Sequence, residues 1–480
     1  MSIKKKAISG LIWTFTQQVS VQGINVITGL ILARILMPAE FGLIGMLTIF
    51  MAVGNSLMDS GMTSSLIRKS DADQKDYSTV FMVNIIFSIL LYVILFFCAP
   101  LIALFFKQPA LTSIMRVYTI TFIITAFVGV QTTKLTKEMR FKVQMYMQLP
   151  SVILGGIVGI FLAKNGYGVW SLVWMTIVQS FLFALQHWIF AGWVPDLKID
   201  KACLKYHLNF GYKLTFSGLL DTFYSNIYNV IIGRFFNASE LGYFTRAQSL
   251  QMLPVSNMSR ALEKVTYPMF SAIKDEGKLK KAYQMLMHQV IFWIAPLMVL
   301  LIIIAKPLFI LLLTKKWLPS VPFFQLLCIN GILYPFHSYN LNILKVKGRS
   351  DLFLRLEIVK KLFITVGIFF AVFWGIYALL ILQVITSIFA FVVNTWYSGK
   401  FIDYSGWEQL KEIGPTIIIA GIIGAIVTLI NTYLFVPMHL SNLITVLILT
   451  ILYYALFFLY SYFSKMAALN DFRQLILKRA

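Results

Sequence analysis

Three arginines lie inside long apolar stretches of the chain: Arg116, Arg246 and Arg260. At the centre of a bilayer an arginine costs on the order of 3 kcal/mol on insertion scales, so it pairs, extends to the interface or faces water. In water it can bind an anionic ligand through charge-assisted hydrogen bonds. The sequence favours a hydrated cavity for Arg246 and the interface for Arg116, and leaves both open for Arg260.

A polar stripe follows one face of the apolar segment 214–236 at helical spacing. Its members are Ser217, Asp221, Tyr224, Ser225 and Tyr228. Two hundred residues earlier, segment 10–33 carries polar residues on the corresponding face: Gln17, Gln18, Asn25 and Thr28. These stripes predict one polar lumen, in which Tyr224, Tyr228, Asn25 and Gln18 contact a ligand. The alternative is hydrogen bonding between adjacent helices.

Two carboxylates, Asp59 and Asp221, lie within apolar segments, near the ends that we expect to face the cytoplasm. They could balance the arginine charge in an empty cavity, or they could exchange protons or sodium ions. The sequence favours charge balance, because arginines lie in other segments of the same chain.

A short internal repeat has an offset of 200 residues. Arg34 and Glu40 in the first copy correspond to Arg234 and Glu240 in the second, and Gly42 corresponds to Gly242. Repeats laid over membrane helices are typical of transporters built from two similar bundles. A carboxylate suits the positive end of a helix, so the four charged residues are interpreted mainly as architectural. The alternative is contact with substrate at the outer mouth.

These residues must be positioned by membrane helices. The 480 residues are 59% hydrophobic and 12% charged, whereas soluble globular chains carry about 25% charge. About 20 apolar residues cross a bilayer, and fourteen segments satisfy this length approximately. They are residues 10–33, 41–63, 79–106, 110–133, 147–163, 168–193, 214–236, 241–262, 284–306, 318–344, 356–374, 376–398, 413–435 and 441–463.

The net charge of +22 is a topology signal. Most lysines and arginines fall in the tails and in alternate linkers, so both termini are predicted to be cytoplasmic. No nucleic-acid partner is expected. The first apolar run is too long for a secretory signal and is interpreted as the first helix. The longest inside linkers, 194–213 and 263–283, are predicted to contain short interfacial helices.

The predicted fold is all-α, a polytopic membrane protein with two pseudo-symmetric six-helix lobes and two additional helices. Residues 1–200 form the N-terminal lobe (spans one to six), 201–400 the C-terminal lobe (spans seven to twelve), and 401–480 the two further spans and a cytoplasmic tail. Gly155, Gly156 and Gly159 give the fifth span a small-residue face for close helix packing.

Residues for catalysis are not apparent. The sequence contains no nucleophile elbow, phosphate-binding glycine loop or zinc signature. The three cysteines and five histidines show no metal-ligand spacing. We therefore predict no enzyme activity, no metal and no cofactor.

Several motifs together resemble the bacterial polysaccharide-transport (oligosaccharide flippase) family of the multidrug/oligosaccharidyl-lipid/polysaccharide exporter superfamily. The matching segments are residues 32–42 with Gly61, Leu66 and Ile67, residues 139–141, residues 166–170, Pro195, Phe210 with Gly211, and residues 241–247. The resemblance covers most of residues 7–275. Ala238 replaces the proline found at Pro38 in the first copy.

The resemblance implies fourteen helices in two lobes that open alternately, and a cationic central cavity. It implies transport of undecaprenyl-pyrophosphate-linked oligosaccharide repeat units across the bacterial cytoplasmic (inner) membrane for lipopolysaccharide, exopolysaccharide or capsule. Arg246 belongs to a matched motif and is the principal candidate for headgroup binding, followed by Arg116 and Arg260.

Other interpretations remain. A multidrug exporter of the same superfamily would transport small cations, which a positive lumen disfavours. A membrane enzyme acting on lipid-linked sugars would need a large outer loop with catalytic groups, and the linkers are short. A scaffold for glycosyltransferases is the least favoured. The expected partners are membrane lipids and glycosyltransferases and a polymerase of the same pathway, around a monomer.

Overall fold

The computed structural model describes residues 3–59, 61–466 and 468–469. Within these residues the chain forms sixteen α-helices and no β-strand. The helices are α1 (Ile3–Ile35), α2 (Pro38–Asp59), α3 (Met62–Arg68), α4 (Gln74–Phe106), α5 (Leu111–Tyr118), α6 (Ile120–Lys137), α7 (Phe141–Lys164), α8 (Val169–Phe190), α9 (Lys201–Phe235), α10 (Ala238–Ala272), α11 (Glu276–Leu313), α12 (Ser320–Val346), α13 (Ser350–Ala371), α14 (Ile376–Ile402), α15 (Gly406–Ile430) and α16 (Asn442–Phe463).

Among the described residues, ten helical segments are long and apolar enough to cross a membrane. They are Ser9–Ile35, Pro38–Arg68, Gln74–Phe106, Leu111–Lys137, Phe141–Lys164, Val169–Phe190, Glu276–Leu313, Ile376–Ile402, Gly406–Phe435 and Asn442–Phe463. The prediction of an all-helical, multi-pass membrane protein is confirmed at this level. Helices α9, α10, α12 and α13 are at least 22 residues long but are not among these ten segments.

Local chemistry determines where several helices begin. Asp73 accepts a hydrogen bond from the backbone N–H of Asp76 at 3.1 Å, and the Asp76 carboxylate accepts one from the Asp73 N–H at 3.0 Å. This capping box begins α4 five residues before the predicted apolar span. Ser405 and Glu408 form the same motif at the start of α15.

The predicted interfacial helices are wrong in one respect. Residues 201–213 are a continuous part of α9. The helix begins this early because Asp200 caps it by accepting from the N–H groups of Ala202 and Cys203 at 2.9 Å. No helix break separates this extension from the apolar segment. Likewise α10 continues through Ala272.

By proximity of Cα atoms the chain divides into two compact units, Met1–Gly242 and Tyr243–Ala480. In the first unit, α7 packs between α1 and α8, and α2 packs against α9. The predicted small-residue face of α7 is confirmed: a Cβ at Gly156 would lie 2.8 Å from Oγ1 of Thr28 in α1. At Gly155 and Gly159 it would lie 2.9 Å from side-chain atoms of α8.

In the second unit, α11 packs against α12, α15 and α16, and α12 packs against α14. The buried Tyr283 hydroxyl of α11 donates to Oδ1 of Asn340 in α12 at 2.8 Å, and the Ser398 hydroxyl of α14 donates to the same oxygen at 2.5 Å. One amide oxygen therefore joins three helices. The lobes predicted at residues 1–200, 201–400 and 401–480 were drawn from the sequence repeat, and they stay a prediction beside the two compact units.

Candidate functional site

The two copies of the repeated motif contact each other reciprocally. A Cβ added at Gly42 would lie 1.7 Å from the carbonyl oxygen of Ala238, and one added at Gly242 would lie 1.9 Å from that of Pro38. In the repeat, Gly42 corresponds to Gly242 and Pro38 corresponds to Ala238. The glycine of each copy therefore contacts position 38 or 238 of the other copy. Such self-complementary contact is the property of surfaces related by a two-fold axis. Only glycine permits backbones to approach so closely.

The charged residues of the repeat hold local structure. Glu40 accepts from the backbone N–H of Met37 at 2.6 Å, and Glu240 donates its own N–H to the side chain of Asn237 at 2.8 Å. Arg234 donates to the carbonyl oxygen of Phe105 at 2.6 Å. Arg34 is the penultimate residue of α1. These contacts favour the architectural interpretation over contact with a ligand.

Arg246 lies in α10 beside Trp317, which belongs to a single turn of 3₁₀-helix at 315–317 that precedes α12. The guanidinium carbon lies 6.0 Å from the centroid of the indole ring. Trp317 is fully buried, and its ring also meets Tyr243 edge-on at 6.1 Å. A cation at the face of a tryptophan ring is attracted by the ring's quadrupole. The buried ring therefore restricts the position of the arginine, which is itself partly exposed.

The other two arginines have different surroundings. Arg116, in α5, donates from Nε to the carbonyl oxygen of Phe96 at 3.3 Å, and its guanidinium lies 4.4 Å from the centroid of that ring. Arg260 is exposed and donates hydrogen bonds to Ser256 and Asn257 of its own helix. Arg116 is thus bound to α4, and its place at the interface stays a prediction, whereas Arg260 is accessible.

The polar stripe of α9 is only partly described. Asp221 is exposed, and Tyr224 and Tyr228 are half-buried. The side chains of Ser217 and Asp59 lie outside the described residues. In α1, Asn25 is exposed and Gln18 is half-buried.

The structure corrects the α1 stripe. Gln17 donates to Oε1 of Gln148 in α7, and Thr28 is buried against Gly156 of α7. These two groups serve helix packing, as the alternative interpretation held, because they fall on the side of α1 that α7 covers.

A buried charged cluster joins α3, α4 and α9, and the sequence analysis missed it. Nζ of Lys69 lies 2.8 Å from both carboxylate oxygens of Asp76. Nε2 of His207 lies 3.0 Å from Oδ1 of Asp76, and its Nδ1 lies 2.8 Å from the Ser65 hydroxyl. The hydrogen bond to Asp76 raises the pKa of Lys69 above its ordinary value. The spacing of Asp73 and Asp76 was a capping-box signal, but nothing local to it indicated His207.

Among the described residues no group of three or more His, Cys, Asp or Glu side chains could hold a metal ion.

Comparison with known proteins adds a family. The family model described as "Polysaccharide biosynthesis protein" matches residues 31–322. The teichuronic acid biosynthesis protein TuaB of Bacillus subtilis (strain 168) is 25% identical over 429 residues, 88% of this chain and 89% of that protein. The lipopolysaccharide biosynthesis protein WzxC of Escherichia coli (strain K12) is 23% identical over 75% of this chain and 74% of that protein. The succinoglycan biosynthesis transport protein ExoT of Rhizobium meliloti (strain 1021) is 23% identical over 68% of this chain and 67% of that protein.

Two solved structures share the fold. The lipid II flippase MurJ in its inward closed conformation superposes with a TM-score of 0.69 at 15% identity, covering 93% of this chain and 99% of that one. An inward-facing multidrug resistance transporter of the MATE family superposes with a TM-score of 0.61 at 19% identity, covering 80% of this chain and 95% of that one.

Proposed function

The chain belongs to the polysaccharide biosynthesis protein family, and we propose that it is a flippase for lipid-linked oligosaccharides. Its cargo would be repeat units on undecaprenyl pyrophosphate, moved across the bacterial cytoplasmic membrane by alternating access for surface polysaccharide synthesis. The observation that carries this proposal is the family match together with relatives that align over two thirds or more of both chains. One of them is named as a transport protein for succinoglycan biosynthesis. Transport would leave the cargo chemically unchanged and would need no cofactor.

Fourteen membrane crossings are part of the proposal. Ten segments have the required length and hydropathy, and α9, α10, α12 and α13 would supply four more. The shortest of these, α13, has 22 residues and is about 33 Å long, enough for a hydrocarbon core of about 30 Å. Their polar and charged residues, such as Asp221 in α9 and Arg246 in α10, suit helices that face a hydrated path.

Arg246 would contact the pyrophosphate. Carrying a pyrophosphate through hydrocarbon without partners is prohibitive, because an unpaired buried charge is so costly. A guanidinium replaces part of the lost hydration by charge-assisted, bidentate hydrogen bonds. Trp317 would hold Arg246 in position. Arg260, Arg116, Tyr224, Tyr228, Asn25 and Gln18 are proposed as weaker contacts, and Asp59 and Asp221 as groups for charge balance or ion coupling.

The orientation is proposed with both termini in the cytoplasm, on the charge pattern alone. The proposed working unit is a monomer that receives its cargo from glycosyltransferases and delivers it to a polymerase of the same pathway. Membrane lipids would surround it.

The test uses Arg246→Ala and Arg246→Lys in a strain lacking the chromosomal copy. We expect Arg246→Ala to lower surface polysaccharide at least tenfold at normal protein abundance, because a hydrogen bond to a charged group contributes about 1.5–3 kcal/mol. Arg246→Lys should lower surface polysaccharide less than Arg246→Ala does, because it keeps the positive charge. The matched control is Arg140→Ala, since Arg140 forms a surface ion pair with Glu138 at 3.6 Å. Normal polysaccharide in the Arg246→Ala strain would contradict the proposed role of Arg246.

The same strains separate transport from enzyme activity. Loss of a flippase leaves single lipid-linked repeat units on the cytoplasmic side of the membrane. Loss of a polymerase or ligase leaves them on the outer side. Accumulation of single units outside in the deletion strain would therefore overturn the proposal.

A further inference from the structure

An open apolar groove of about 570 Å³ lies on the surface of the second compact unit among α12, α14 and α15, and Ile388 in its lining is 50% exposed. We call this groove the acyl cavity. Most of its lining is aliphatic or aromatic, including Ile329, Ile388, Val392 and Leu410. Pockets of about 300–1,000 Å³ are the size that proteins use for small ligands. Because polar groups are few there, the cavity suits a hydrocarbon chain and not a sugar.

A pocket of about 290 Å³ with charged residues in its lining lies beside the acyl cavity, and we call it the head pocket. Trp396, Ser405 and Gly406 line both spaces, so the two are neighbours. The head pocket lies at the turn between α14 and α15. Trp396 and Trp407 are 62% and 64% exposed beside this junction. Exposed tryptophans are typical of the interface between hydrocarbon and lipid headgroups.

The head pocket contains charges of both signs. Lys400 lies over Trp396, its Nζ 5.1 Å from the ring centroid, and forms no ion pair with the described residues. Asp403, also in the lining, uses its backbone carbonyl to accept from Lys280, and its carboxylate forms no ion pair with the described part of the chain. The third charged group, Glu408, is engaged by the N–H of Ser405 at 2.7 Å. One ammonium and one carboxylate therefore remain for a ligand.

We propose that the two spaces bind one membrane glycerophospholipid whose headgroup carries both a phosphate and a primary ammonium. One acyl chain would fill the acyl cavity. Lys400 would bind the phosphate, and Asp403 would accept hydrogen bonds from the ammonium. A headgroup with a phosphate alone would leave Asp403 unpartnered, and a quaternary amine would have no N–H to donate to it. The bound lipid would join α14 to α15.

The experiment measures which lipid stays with the purified full-length protein. Protein in detergent is offered equal amounts of phosphatidylethanolamine, phosphatidylglycerol and phosphatidylcholine, and retained lipid is identified by native mass spectrometry. We expect one phosphatidylethanolamine per chain. Asp403→Asn and Lys400→Gln should each lower its retention about tenfold, the effect of losing one charge-assisted hydrogen bond. Lys411→Gln is the matched control, because Lys411 lies over Trp407 outside the head pocket.

Filling the acyl cavity gives a second test. Ile388→Trp should abolish retention, whereas Ile451→Trp on the exposed face of α16 should not. Since a bulky variant could fail to fold, the wild-type protein is also melted with each lipid added, and only phosphatidylethanolamine should raise its melting temperature. Equal retention of phosphatidylglycerol or phosphatidylcholine would overturn the assignment. So would retention of an added polyprenyl phosphate in place of phosphatidylethanolamine.

Discussion

The Nε2 atom of His207 lies 3.0 Å from Oδ1 of Asp76, and both side chains are buried. Asp76 lies in the first turn of α4, whereas His207 lies in the extension of α9. The same carboxylate receives both Lys69 at 2.8 Å and the N–H of Asp73 at 3.0 Å. One buried carboxylate thus fastens the start of α9 to the loop between α3 and α4. A buried charge is tolerated when it is paired and fully hydrogen-bonded.

We expect Asp76→Asn to destabilise the protein by about 1.5–3 kcal/mol, because it removes the charge-assisted hydrogen bond to Lys69, whose side chain is 22% exposed and keeps part of its hydration. The measurement is the thermal unfolding of the purified protein in detergent. Asp71→Asn is the control, since Asp71 is an exposed residue of the same loop. Equal melting temperatures for the two variants would show that the cluster is not important for stability.

The helices were predictable because their physical cause is local. Apolar length predicts a crossing wherever it occurs along the chain, and capping residues such as Asp73 and Ser405 adjust the ends by a few residues. The α7 glycines were predictable for the same reason, since their spacing alone makes one small face. The continuity of α9 was missed because charged residues in its extension resemble a linker.

The Asp76 cluster could not be predicted in the same way. Asp76 and His207 are 131 residues apart, and no periodicity connects them. The contact of Gln17 was missed for a related reason: Gln17 and Gln18 are neighbours in sequence, but only the position of α7 decides that Gln17 bonds to it. Helix packing decides which polar groups pair, and the packing could not be read from this single sequence.

The reciprocal contact of the repeat predicts a severe and symmetric effect of small substitutions. We expect Gly42→Ala and Gly242→Ala each to destabilise the protein by at least about 1–3 kcal/mol, because the added Cβ meets a backbone carbonyl that has no rotamer with which to avoid it. The measurement is the yield of monodisperse protein in gel filtration. Gly23→Ala is the control, since a Cβ there has nothing within 4 Å. A normal yield for both repeat variants would refute the close contact.

Trp317 offers a test of how Arg246 is positioned. We expect Trp317→Phe to retain more transport per molecule than Trp317→Leu, because phenylalanine keeps an aromatic face for the guanidinium and leucine does not. Both substitutions leave some empty volume around a buried position, so surface polysaccharide is divided by protein abundance. If the two variants transport equally well per molecule, the ring is not what positions the arginine.

The Asn340 amide predicts unequal effects for three substitutions in the second unit. Tyr283→Phe or Ser398→Ala removes one donor, but Oδ1 of Asn340 keeps the other. We therefore expect each substitution to lower the free energy of unfolding by about 0.5–1.5 kcal/mol. Asn340→Leu leaves the Ser398 hydroxyl without this acceptor and leaves the Tyr283 hydroxyl only Oε1 of Gln409 at 3.5 Å. We expect the substitution to cost about 2–4 kcal/mol of stability, since an unsatisfied buried group costs about 1–3 kcal/mol. Thermal unfolding of the three variants gives the order. The shared-acceptor arrangement is wrong if Asn340→Leu is no more destabilising than either single donor substitution.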